Sequence, residues 1–188
     1  MMTFTRARVR RHPLLIGAVA LTVAGALALT LTAGARADHA PIHPEQLTTD
    51  GHNEFTDDVA IQVRDKPDGR PTEVVNLRDA SRIAVFEFTI APGAWFPWHT
   101  HPGVVLAAVA QGDLVFIYAD DCLERPYDEG EAFVDPGLAH TAYNPGDTDT
   151  VVIATVLGVA EGAPAATALG HAEAAALNEA CDTDAPLP

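Results

Sequence analysis

From residue 59 onward the chain alternates short apolar runs with clusters of glycine, proline, asparagine and aspartate. The runs fall at residues 59–64, 73–77, 82–91, 104–110, 113–119, 131–134, 140–144 and 150–160. Short runs separated by turn residues predict strands, and a series of them predicts an all-β domain. The breaks are Lys66-Pro67-Asp68-Gly69, Ala91-Pro92-Gly93, Gln111-Gly112-Asp113 and Asn144-Pro145-Gly146-Asp147, each rich in chain-reversing residues. Leu114-Val115-Phe116-Ile117-Tyr118 is apolar at every position, which predicts a strand covered on both faces. One cover is the barrel interior; the other is a second sheet or a partner subunit. No internal repeat is visible, so one barrel is expected.

Both flanks read differently. Residues 38–56 are polar and contain Pro41 and Pro44, which predicts an extended arm. Its histidines, His39, His43 and His52, lack ligand-like spacing and read as solvated. Beyond Gly162, residues 163–170 read as a tail strand or coil, and residues 171–180 (HAEAAALNEA) are alanine-rich and helix-prone. A helix this short is marginal alone, and Cys181 would anchor it.

The amino terminus holds four arginines within the first 11 residues and no acid, followed by an uncharged run at residues 14–35 and the small-x-small site Ala35-Arg36-Ala37. This reads as a secretory signal peptide over residues 1–37, cut before Asp38; an uncleaved membrane anchor is the alternative. Either way the arginines stay in the cytoplasm and the remainder lies outside. Arg10-Arg11 hints at twin-arginine export, but Pro13 occupies the place of a large apolar residue. The resulting division is leader 1–37, arm 38–56, barrel 57–162 and tail 163–188.

Charge then changes the picture of partners. Five of the 11 basic residues (Arg6, Arg8, Arg10, Arg11, Arg36) and none of the 26 acidic ones lie in the leader, leaving six against 26, a formal charge of −20. Such a surface repels phosphate backbones and anionic headgroups. Nucleic acid is excluded as a partner, and so is a membrane once the leader is cut. Two cysteines, Cys122 and Cys181, remain in an exported chain, which predicts a disulfide, with two buried free thiols as the alternative. The closed loop of roughly 60 residues is worth about 4 kcal/mol in the chain-entropy account.

The candidate chemistry lies in His99, His101 and His140. Residues i and i+2 of a strand share a face, so the first two imidazoles aim at one point. Gly93 and Pro102-Gly103 frame that pair, and Gly130, Pro136-Gly137 and Asn144 frame His140. The segments GAWFPWHTHPGVVLAAVAQG (93–112) and GEAFVDPGLAHTAYN (130–144) resemble the two motifs of the cupin family, G-x5-H-x-H-x3-E-x6-G and G-x5-P-x-G-x2-H-x3-N. Two departures stand out. The family's glutamate falls on Val105, and the second motif is one residue short because Gly137 follows Pro136 directly.

The resemblance implies a single-domain double-stranded β-helix, or jelly-roll barrel, closed by a short helical tail. It implies that His99, His101 and His140 hold one divalent transition metal, with Cu, Mn, Ni, Zn or Fe all open. Three neutral nitrogen donors leave positions for a small-molecule ligand. Val105, Trp95 and Phe133 are expected to line the pocket, with Phe96, Trp98 and Tyr143 as further aromatic candidates, although each aromatic could equally be ordinary core. Tyr143 lies on the face opposite His140. Glu87 reads either as outer-face polarity or as a substitute for the missing carboxylate. Asn144 is expected to organise its turn. Many cupins pair through a sheet, so a homodimer is an expectation. Three functions follow: a dioxygenase-like metal enzyme acting on a small molecule, a metal or ligand carrier without turnover, and a metal-free structural barrel.

Overall fold

The computed structural model describes residues 41–188 apart from residues 79 and 81. The expected leader lies outside the described residues. Among the described residues the chain forms thirteen strands and one α-helix. In order these are β1 (Ile42–Gln46), β2 (Asn53–Glu54), β3 (Ile61–Asp65), β4 (Glu73–Leu77), β5 (Arg82–Ile90), β6 (His99–Thr100) and β7 (Val105–Gln111). There follow β8 (Leu114–Tyr118), β9 (Glu124–Tyr127), β10 (Ala132–Asp135), β11 (His140–Tyr143), β12 (Thr150–Leu157), β13 (Thr167–Ala168) and the helix α1 (His171–Cys181). Every predicted run contains a strand. The architecture is the all-β jelly roll expected.

Two antiparallel sheets face one another. One runs β1-β5-β12-β7-β10, with β2 also on β5; the other runs β13-β6-β11-β8-β9. A β3–β4 hairpin stands as a third, two-stranded sheet. Burial alternates along β12 and β7, where Val152, Ala154 and Val156 and Val105, Ala107 and Val109 point inward. Strand alternation alone produces that pattern. β8 is buried at all five positions, as its sequence predicts. Its second cover is a cluster behind the sheet, where Val115 and Ile117 pack with Trp98 and with Ala174 of α1.

Both flanks join the sheets. Within the expected extended arm, residues 42–46 form an edge strand: β1 pairs with β5 over five residues, from Ile42 opposite Ile90 to Gln46 opposite Phe86. The tail also enters the second sheet, since β13 pairs with β6. α1 is then fixed by a disulfide between Cys122 and Cys181. Asn178 adds a polar tie, accepting from Trp98 Nε1 at 2.8 Å and from Thr183 Oγ1 at 2.9 Å. No helix among the described residues is long and apolar enough to cross a membrane.

The turn after β11 depends on Asn144, which is fully buried. Its Nδ2 donates to the carbonyls of Ile90 (2.8 Å) and Thr148 (2.7 Å), while Oδ1 accepts from Gly146 N at 2.8 Å. This side chain closes the turn from inside, as expected of it. Gly137 has a different duty. It holds φ +90°, and an added Cβ would lie 2.6 Å from the carbonyl oxygen of Gly103 and 3.0 Å from that of His101. The two histidine-bearing segments meet there, with only a hydrogen atom's room between them.

Candidate metal centre

His99 and His140 are direct Cα partners in the β6–β11 ladder, and their ring centroids lie 4.1 Å apart. His101 projects to the same side, 4.9 Å from the ring of His99 and 5.2 Å from that of His140. One ligand atom from each of the three lies within 4.8 Å of the others. The i, i+2 relation therefore works as the sequence predicts, although the regular part of β6 spans only two residues.

Each imidazole is held by a backbone carbonyl at Nδ1: His99 by Pro97 (2.7 Å), His101 by Ala165 (2.7 Å) and His140 by Leu138 (2.8 Å). A carbonyl can only accept, so Nδ1 must carry the proton and Nε2 keeps a free lone pair. For His99 and His140 the acceptor stands two residues earlier in the chain; for His101 it comes from the tail. Fixing a ring in this way is how proteins orient imidazoles toward a metal. Burial holds the pKa of His99 well below the usual range, with the neighbouring His140 and His101 adding to the effect. Burial, then His101, pushes His140 down to about 3. Both rings are thus neutral at physiological pH, the form that binds metal.

The cluster opens into a cavity of about 370 Å³ lined from both sheets. Phe86 and Phe88 of β5, Val105 of β7, Phe133 of β10 and Phe116 of β8 supply apolar walls, and Ala166 and Ala168 of the tail supply another. Phe116 stacks on the His140 ring with centroids 4.5 Å apart.

One carboxylate enters this cavity, and sequence reasoning missed it. Asp135 is 2% exposed. Its Oδ1 accepts from Gly137 N at 2.8 Å, whereas Oδ2 is buried without a hydrogen-bond partner. Oδ2 lies 3.6 Å from His101 Nε2 and 3.5 Å from His140 Nδ1; the Nδ1 proton is already directed to the closer Leu138 carbonyl. Burial lifts the Asp135 pKa to about 6, while the neighbouring His101 and the Gly137 amide pull it back. The signal was present in the sequence: Asp135 is i+2 from Phe133, which was placed inward. Three imidazole nitrogens beside an unpartnered buried carboxylate fit a first-row divalent transition metal. They do not fit the all-oxygen preference of calcium or magnesium.

The cupin domain family model matches residues 86–156, which span both histidine segments. The chain carries a cupin domain. No curated protein matches it. Among solved structures, a cupin-like protein from Thermotoga maritima aligns at 23% identity and TM-score 0.42, over 54% of this chain and 75% of that one. A cupin domain from Bordetella pertussis aligns at 20% identity and TM-score 0.37, over 56% and 99%. A putative sugar phosphate isomerase from Acidithiobacillus ferrooxidans aligns at 21% identity and TM-score 0.35, over 39% of this chain and 48% of that one. The chain thus spans about half the length of that last structure.

Within this cupin, the expected lining residues separate into two groups. Val105, Phe133 and Phe96 face the cavity. Trp95 does not: it stacks on Tyr143 (centroids 4.1 Å, interplanar 15°) beside the cluster behind the second sheet. Trp98 belongs to that cluster too. The reason is local. Phe96 and Pro97 both face the cavity although they are consecutive, so strand parity counted backward from His99 fails before Pro97. Glu87 is also outside the cupin cavity. Phe86 and Phe88 line it, and alternation turns Glu87 to the outer face, where its Cα partners are Glu45 and Ile153. It cannot stand in for the carboxylate missing at Val105.

Proposed function

We propose that this chain is an exported cupin that holds one divalent transition metal on His99, His101 and His140 and brings a small, largely apolar ligand to it. The observation that carries the reading is the set of three imidazoles, each with Nδ1 held by a carbonyl and each contributing to one cluster at the wall of an apolar cavity. When bound, such a metal supplies Lewis acidity that stabilises negative charge on an oxygen ligand.

The chain's own residues define the rest. Phe86, Phe88, Phe96 and Phe133 offer aromatic and aliphatic groups a dry surface. A substrate suited to this site has an apolar or aromatic body and one acidic oxygen group, as in diketones, flavonols and hydroxy-aromatics. Excluding water strengthens each electrostatic contact made at the histidines. We infer a dioxygenase-like oxidation of such a molecule as the activity. Export is supported by the arginine-led apolar leader and by the disulfide, which fits an oxidising compartment.

A carrier without turnover is the second reading. It is favoured by the lining itself, in which the three histidines and Asp135 are the titratable groups. Elemental analysis of the untagged protein tests the shared part: one metal per chain is expected, and a value near zero leaves only the structural barrel. Oxygen uptake across the three substrate classes separates the remaining two. Uptake above the metal-free control supports the enzyme; tight ligand binding without uptake supports the carrier.

A further inference from the structure

The cavity contains a carboxylate that the two sequence motifs do not assign. The position where the family places its glutamate is Val105, whose side chain is 4% exposed and faces the cavity. Val105 cannot donate to anything. Its Cα partner across the β7–β10 ladder is Asp135, and opposed residues of an antiparallel pair send their side chains to the same face. The carboxylate has therefore moved one strand sideways, from the strand after the first histidine pair to the strand before the third histidine.

Three features separate Asp135 from an ordinary buried acid. It has no Lys or Arg beside it in the cavity lining. Only one oxygen is engaged, Oδ1 with the Gly137 amide, which orients the group and leaves Oδ2 buried and without a hydrogen-bond partner. That free oxygen stands 3.6 Å from His101 Nε2, the same nitrogen whose lone pair the Ala165 carbonyl leaves available through its hold on Nδ1. Burying an ionised oxygen without a partner is unfavourable, and a shared cation removes that penalty.

We propose that Asp135 is the carboxylate donor of the centre, completing a three-histidine, one-aspartate set in place of the family glutamate. The proposal rests on the metal reading above. Gly137, directly after Pro136, gives its amide to Asp135 Oδ1 two residues earlier and so fixes the carboxylate's orientation.

The test is cobalt(II) titration of the full chain, as wild type, Asp135→Asn and the double variant Val105→Glu/Asp135→Asn, with circular dichroism confirming the fold of each. Two readouts are followed, the dissociation constant by chelator competition and the visible d–d spectrum of the bound ion. Asp135→Asn is expected to weaken binding more than about 100-fold, beyond the 10–100-fold typical of losing an orienting partner, and to change the d–d bands. The double variant is expected to recover most of the affinity and a carboxylate-type spectrum. A smaller loss with unchanged bands assigns Asp135 to orientation alone and overturns the proposal.

Infrared difference spectra of the wild type, carrying 13C-aspartate and one equivalent of cobalt, need no substitution. A shift of an aspartate carboxylate stretch that survives removal of loosely held ions is expected; no shift overturns the proposal. Should the wild type take up no cobalt at all, the metal reading itself fails, a result distinct from a normal wild type with an unaffected Asp135→Asn.

Discussion

Asp135 and Val105 face each other across the β7–β10 ladder, and both side chains enter the cavity. A second carboxylate at position 105 therefore meets the first with no cation between them. Val105→Glu is expected to destabilise the metal-free chain by roughly 3–5 kcal/mol at pH 8, the range for an uncompensated buried charge. The loss should be smaller at pH 5, where Asp135, lifted to about 6, carries its proton. Urea unfolding at the two pH values measures both.

Acid should weaken the metal-free protein through its histidines. His140 titrates near 3 in the fold and about 6.5 when unfolded, so the unfolded chain takes up the proton first. The stability from burying it neutral is complete above pH 6.5 and declines as pH falls toward 3. His99 acts in the same direction. Asp135 acts in the opposite one. Raised from 3.8 to about 6, it favours the fold more as pH falls through that interval. Asp135→Asn removes this opposing contribution, so its denaturation midpoint should fall more steeply than that of the wild type between pH 6 and 4. Chelator-treated samples check this.

Phe116 is 3% exposed and lies flat against His140. Phe116→Ala is expected to cost about 3–5 kcal/mol and to free the His140 ring from one side. A lower melting temperature and weaker metal uptake should appear together. Phe133→Ala, a partly buried wall residue that makes no such ring contact with a histidine, should cost less.

Reducing the bond between Cys122 and Cys181, which are 59 residues apart, should lower stability by about 4 kcal/mol in the chain-entropy account. Chemical denaturation with and without reductant gives the difference directly. The double alanine variant should reproduce the reduced value and lose its response to reductant.

The barrel was readable because its central strands bury alternate or all positions, and burial is what apolar patterning records. β1 was not readable for the opposite reason. Four of its five residues are exposed, and backbone pairing to β5 holds it with only Ile42 packed against the core. β9 was hidden by Pro126, which an edge strand tolerates. At the site, His99, His101 and His140 were legible from spacing, and Phe133 and Val105 from parity. Trp95 was misplaced because parity does not pass through Phe96-Pro97. Asp135 was overlooked because it borders the Pro136-Gly137 turn, and polar residues beside turns are ordinarily solvated.

The Ala165 carbonyl that aligns the His101 ring lies 64 residues beyond it, and Ala166 and Ala168 form a wall of the same cavity. This has a consequence in time. His99 and His140 take their alignment from carbonyls two residues back, whereas His101 must wait for a segment made long after it. Chains truncated at Gly162 should build a barrel with a misaligned His101.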